Sequence, residues 1–290
     1  MQQIEIDTSA GRRAALRWDS APAGAPWLHF AHATGMHALL YARLLAPLAD
    51  RFNIIASDAR GHGRTAAIEP CALAGDCVEW EVFAADTIAV IDAVAPAARW
   101  LLAGHSMGGS ASLLAAVAAP ARVAGLVLID PPMIPFDMAR AALAAGVRTP
   151  NPMADGAGRR RADYPDMDSA RERWRGRGVF SGWDDQDLDA YLGDGLVATA
   201  DGVSLACTPA WEAATFRGVS HRIEAALAGL DRPFALIAGE TGSTVPAAEF
   251  AQFAAHPRCL SAARLPGTTH FVPLERGDAV CQAIVAVSKA

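Results

Sequence analysis

The chain has 290 residues, 52% of them hydrophobic, 19% charged and 7% aromatic, and 25 basic against 31 acidic side chains give it a formal net charge of -6. This length and apolar content support one large core or two modest ones, and exclude a disulfide-stapled mini-domain or a disordered tail. The acidic balance, with Lys289 the only lysine, disfavours nucleic acid as a partner, and no apolar run approaches the roughly 18 residues of a membrane span.

The opening segment, Met1 to Asp7, lacks a charged stretch followed by an apolar one, so the expected compartment is cytoplasmic. Cys71, Cys77, Cys207, Cys259 and Cys281 are odd in number and never at Cys-x-x-Cys spacing, which reads as free thiols. Short apolar or β-branched runs at Ile4–Ile6, Ala14–Trp18, Trp27–Ala31 and Asn53–Ser57 predict strands, the first two an antiparallel hairpin at a sheet edge. Further strands are expected at Trp100–Gly104, Gly125–Ile129, Phe234–Ala238 and Cys259–Leu265. Between them, helical spacing marks Leu39–Ala49, Glu79–Val94, Met107–Ala118, Pro246–Ala255 and Asp278–Val287. Strands alternating with helices predict an α/β architecture with a mostly parallel sheet.

From Pro131 to about Phe216 this rhythm stops, and prolines and arginines replace it with short, charged, interrupted helices. An insertion between two sheet strands is expected to sit at their carboxyl ends, over the crevice where open α/β sheets bind ligands. The boundaries predicted are 1–131 and 216–290 for a core and 132–215 for a helical cap. The arginines at 159–161 and 171–177, with Asp163, Asp166, Asp168 and Glu172 nearby, read as a solvated helical face with no substrate role.

The chemistry is carried by Gly104-His105-Ser106-Met107-Gly108, a G-x-S-x-G pattern between a predicted buried strand and a predicted helix. A serine in such a turn takes a strained backbone conformation, and glycines two residues to either side remove the Cβ atoms that would collide across it. The amide after the serine then lies at a helix N-terminus, where unpaired N–H groups favour developing negative charge.

With His32-Ala33-Thr34-Gly35, Asp58-Ala59-Arg60-Gly61-His62-Gly63 and Thr268-Thr269-His270-Phe271, this elbow makes the chain resemble the α/β-hydrolase superfamily, in its capped serine-hydrolase, esterase-like branch. The resemblance implies an eight-stranded, mostly parallel sheet flanked by helices, with the cap after the sixth strand. It implies Ser106 as nucleophile, His270 as base, and the Thr34 and Met107 amides as the oxyanion hole. Ala33 stands where the family usually has glycine. Asp58 and Arg60 are expected to anchor their loop, and His105 to pack as a structural ring.

The acid departs from the family pattern, which most often places it after the seventh strand; there Gly242 and Ser243 occupy the expected position. An alternative known in the family places it after the sixth strand, which offers Asp130; Glu240 is the second candidate. Met36, Met133, Phe136 and Trp183 are candidates for the substrate pocket. The implied activity is cleavage of small-molecule carboxylic esters through an acyl-enzyme, with no metal or organic cofactor, by a monomer or homodimer. Lactonase, thioesterase, amidase or carbon–carbon bond hydrolase chemistry shares the same constellation, and a noncatalytic binding protein of the same fold is the rival outside enzymology.

Overall fold

A computed structural model describes all 290 residues. Eleven strands form in chain order: β1 (Gln2–Thr8), β2 (Gly11–Trp18), β3 (Trp27–Ala31), β4 (Asn53–Ser57), β5 (Trp100–His105), β6 (Val123–Ile129), β7 (Asp163–Tyr164), β8 (Leu196–Thr199), β9 (Gly202–Leu205), β10 (Phe234–Gly239) and β11 (Cys259–Leu265). Eight of them build one sheet in the order β1-β2-β4-β3-β5-β6-β10-β11. The β1–β2 hairpin lies at one edge, β2 runs antiparallel to β4, and the remaining neighbours are parallel. The seventh strand anticipated from sequence is therefore β10.

The central strands are buried on both faces, and alternation divides their side chains between two apolar layers. Leu101, Ala103, Val127, Ile129 and Ile237 face one layer, and Leu102, Leu126, Leu128, Leu236 and Ala238 the other. The predicted helices form at Trp80–Val94, Met107–Ala118, Ala247–Ala254 and Gly277–Val287. The segment predicted as a helix at Leu39–Ala49 is a single α-turn between two 3-10 turns, and Pro47, which lacks an amide donor, lies in the second of them.

Between β6 and β10 lies the insertion. Side chains cap its helices: Asn151 accepts from the Met153 amide, Asp166 from Ser169, Asp184 from Asp187 and Thr208 from Trp211. The insertion is not wholly helical, since β7, β9 and β8 form a small antiparallel sheet inside it. These strands are only two to four residues long, too short for a period-2 signal. The helix Pro209–Arg217 also runs through position 215/216, where the sequence places the return to the core. An aromatic cluster of Tyr164, Trp174, Phe180, Trp183 and Tyr191 holds the insertion together. Trp183 also packs its ring edge-on against Phe271, joining the insertion to the loop after β11.

Candidate active site

β5 delivers Ser106 to the start of the helix Met107–Ala118 with φ 54° and ψ -125°. Ser106 and Asp130 are the two non-glycine residues of the chain with positive φ. The flanking glycines are required by contact: a Cβ on Gly104 would lie 2.3 Å from the Gly108 backbone, and one on Gly108 would lie 2.1 Å from the Ala31 carbonyl oxygen. Ser106 is 6% exposed, its amide donates to the Ile129 carbonyl at 2.8 Å, and its hydroxyl lines a cavity of about 270 Å³ together with His270 and Thr34.

Asp130 directly follows β6 and is fully buried. Its Oδ2 accepts from His270 Nδ1 at 2.5 Å and from the Thr244 amide at 3.0 Å. Its Oδ1 accepts from the Ser243 hydroxyl at 2.5 Å and from the Gly239 amide at 3.1 Å. Burial pushes this carboxyl upward, but the hydrogen bonds from His270, Ser243 and Thr244 outweigh it and hold Asp130 below the usual carboxylate range. Ser243, in the position where the family most often carries its acid, thus supplies a donor to the carboxylate that follows the neighbouring strand. Glu240 accepts the Gly267 amide at 2.8 Å and makes no hydrogen bond to His270, so it ties down the turn that precedes the histidine loop.

The amides of Thr34 and Met107 donate to no protein acceptor. Their orientation has a traceable cause. His32 Nε2 accepts the Ala59 amide at 2.9 Å, so its Nδ1–H donates to the Ala33 carbonyl at 2.8 Å. A trans peptide directs its N–H opposite to its C=O, so fixing the Ala33 carbonyl also aims the Thr34 N–H. Ala33 has an ordinary negative φ, so the alanine is accommodated without backbone strain.

His105 acts on the same loop system. Tyr41 donates its hydroxyl to His105 Nδ1 at 2.8 Å and accepts the Ala33 amide at 3.3 Å, while His105 Nε2 donates to the His270 carbonyl at 2.8 Å. Burial, then the neighbouring His270, lowers the His105 pKa to about 3, so the ring is a neutral strut between the loops after β3 and β11. Asp58 accepts the Ala38 and Arg64 amides at 2.7 and 2.8 Å, and Arg60 binds Asp86 with two hydrogen bonds, which makes both loop anchors.

Of the pocket candidates, Met36 lines the cavity. Met133 and Phe136 do not: they are buried in the apolar layer that also holds Leu102, Leu126 and Leu128. Trp183 stands behind Phe180, Tyr191 and Phe271, one shell removed from the cavity. Trp80, Pro132, Phe216 and Val219 complete the apolar wall. Pro132 and Val219 carried no sequence signal, because an apolar residue facing a cavity looks the same in sequence as one facing the core. The insertion contributes Met153, Val179 and Phe180 and a polar group to the lining: Arg160 pairs with Glu212 at 2.5 Å and reaches the Tyr191 hydroxyl at 3.3 Å.

A mostly parallel sheet with a strained serine elbow at the end of its fifth strand and a histidine–carboxylate pair beside it defines the class of protein. The chain belongs to the alpha/beta hydrolase family, whose model matches residues 30–283. It is 27% identical over 257 residues to 2-(acetamidomethylene)succinate hydrolase of Mesorhizobium japonicum, covering 85% of this chain and 82% of that protein. Among solved structures, E-2-(acetamidomethylene)succinate hydrolase superposes with TM-score 0.77 at 22% identity over 100% of this chain and 99% of the other. An esterase of M. tuberculosis superposes with TM-score 0.75 at 18% identity, over 100% and 92%.

Proposed function

We propose that the protein is a serine hydrolase that cleaves carboxylic esters of small molecules through an acyl-enzyme. Ser106 attacks the acyl carbon as His270 takes its proton, and the oxyanion forms against the Thr34 and Met107 amides. His270 then gives the proton to the leaving alcohol and activates the water that releases the acid. Asp130 holds the imidazole with Nδ1 protonated and stabilises the imidazolium. We place the cap at the insertion, from residue 132 to the end of the helix at Arg217, and take the compartment as cytoplasmic.

The observation that carries this reading is the Asp130–His270 hydrogen bond, made by a carboxylate whose other lone pairs are already occupied by donors to an imidazole that lines the same cavity as Ser106. A structural ion pair would not need a strained serine and two unpaired amides beside it. The test is labelling with a fluorophosphonate probe. Wild type should be modified at Ser106 and the Ser106→Ala protein should not; folded wild type that resists the probe would return the molecule to a binding role.

A further inference from the structure

The insertion carries seven arginines between positions 159 and 177, and the structure divides them into two groups. Four are committed. Arg160 pairs with Glu212, Arg171 with Asp189 at 2.9 Å and Arg175 with Asp185, while Arg161 donates to the Asp163 carbonyl and lies over the Tyr164 ring. Arg159, Arg173 and Arg177 make no ion pair and no side-chain hydrogen bond; all three are exposed, and all three line one cavity of about 510 Å³. All three share the solvated face expected from the sequence, but unlike Arg171 and Arg175 they have no acidic partner on it.

This chamber adjoins the reaction cavity. Arg160, Val179, Phe180 and Glu212 line both, so the Arg160–Glu212 pair stands at the partition. Three guanidinium groups around one space repel one another, and their convergence is unexpected in a chain of net charge -6 unless an anion compensates it. The two spaces also differ in chemistry. The inner one has the apolar wall of Met36, Trp80, Pro132 and Val219, and its one carboxylate, Glu212, is neutralised by Arg160; the outer one offers unpaired planar donors suited to carboxylate or phosphate oxygens.

We propose that the outer chamber is an anion subsite that recognises the far end of the substrate. The substrate class is then an ester with a neutral acyl segment next to the scissile bond and a carboxylate or phosphate at its distal end. This rests on the hydrolase reading for its chemistry, but the subsite itself does not need turnover.

The experiment compares p-nitrophenyl octanoate with the matching hemiester p-nitrophenyl hemisuberate, in wild type and in Arg173→Gln/Arg177→Gln. These side chains are exposed and unpaired, so their loss should leave the fold intact, which a thermal melt checks. The ratio of kcat/KM for hemiester over neutral ester should fall about 10- to 100-fold in the double variant, mainly through KM. It should also fall in wild type as salt is raised to about 0.5 M. A ratio that stays within about twofold under both changes overturns the proposal.

Calorimetric titration of suberate and, separately, inorganic phosphate into Ser106→Ala distinguishes the two anion sources and reads the subsite without catalysis. Binding that is lost when Arg173 and Arg177 are replaced supports it, and no heat from either anion refutes it. If wild type hydrolyses neither ester, the hydrolase reading fails, and this titration still decides the anion site.

Discussion

Ser106 occupies a backbone conformation that costs stability. Its φ of 54° belongs to a region that L side chains adopt at a cost of about 1–3 kcal/mol, and glycine would occupy it freely. Ser106→Gly should therefore raise unfolding stability by about 1 kcal/mol in urea titration while abolishing fluorophosphonate labelling; a destabilised variant would mean that the elbow is not strained. Asp130→Asn removes the negative charge beside His270 and turns one of two oxygens that both face donors into an NH2 donor, so it should lower kcat on a p-nitrophenyl ester by several hundredfold or more, with Glu240→Gln within about twofold of wild type. Equal losses in both would undo the assignment of the acid. The difference follows from contact, since Glu240 serves the Gly267 amide and Asp130 the imidazole.

At the level of elements, the elbow works because β5 and the helix Met107–Ala118 approach too closely for any side chain between them. Gly108→Ala would place a methyl 2.1 Å from the Ala31 carbonyl, a rigid backbone atom of β3. The expected cost is about 3 kcal/mol or more, read as a lowered urea midpoint. A variant of wild-type stability would contradict the packing described. The strut from Ala33 through Tyr41 and His105 to the His270 carbonyl couples two loops that the sequence presents as unrelated motifs. Tyr41→Phe deletes its central donor and leaves a buried ring nitrogen unpaired, a loss of about 1–3 kcal/mol in the same titration.

Across the whole molecule, buried histidines tie stability to pH. Burial lowers His29, His37 and His62 to about 4 and His105 to about 3, and His32 falls well below its ordinary value. Each stays neutral in the fold yet takes a proton in the unfolded chain once pH drops below about 6.5. Unfolding therefore takes up protons between pH 6.5 and 4, and stability is full above that window and declines through it. Asp58 and Asp187, raised by burial to about 7 and 6, oppose this, but the histidines outnumber them. The urea midpoint should fall steeply from pH 7 to pH 5; a flat profile would show that these rings reach solvent in the native state.

The sequence alone was enough for the sheet and the elbow, because each is announced by neighbours within a few residues, alternating apolar runs and paired glycines, and by its family resemblance it singled out Ser106, His270 and the Thr34 and Met107 amides as candidates. It also offered Asp130, though only as one of two acids, since the deciding contact joins residues 140 positions apart and depends on β6 and β10 lying side by side. Tertiary structure alone assigned the cavity wall, moving Met133, Phe136 and Trp183 out of it and bringing Pro132 and Val219 in. It also separated the paired arginines of the insertion from the unpaired ones. Local chain geometry writes itself into spacing, whereas convergence of distant side chains is settled by packing, which leaves no periodic trace.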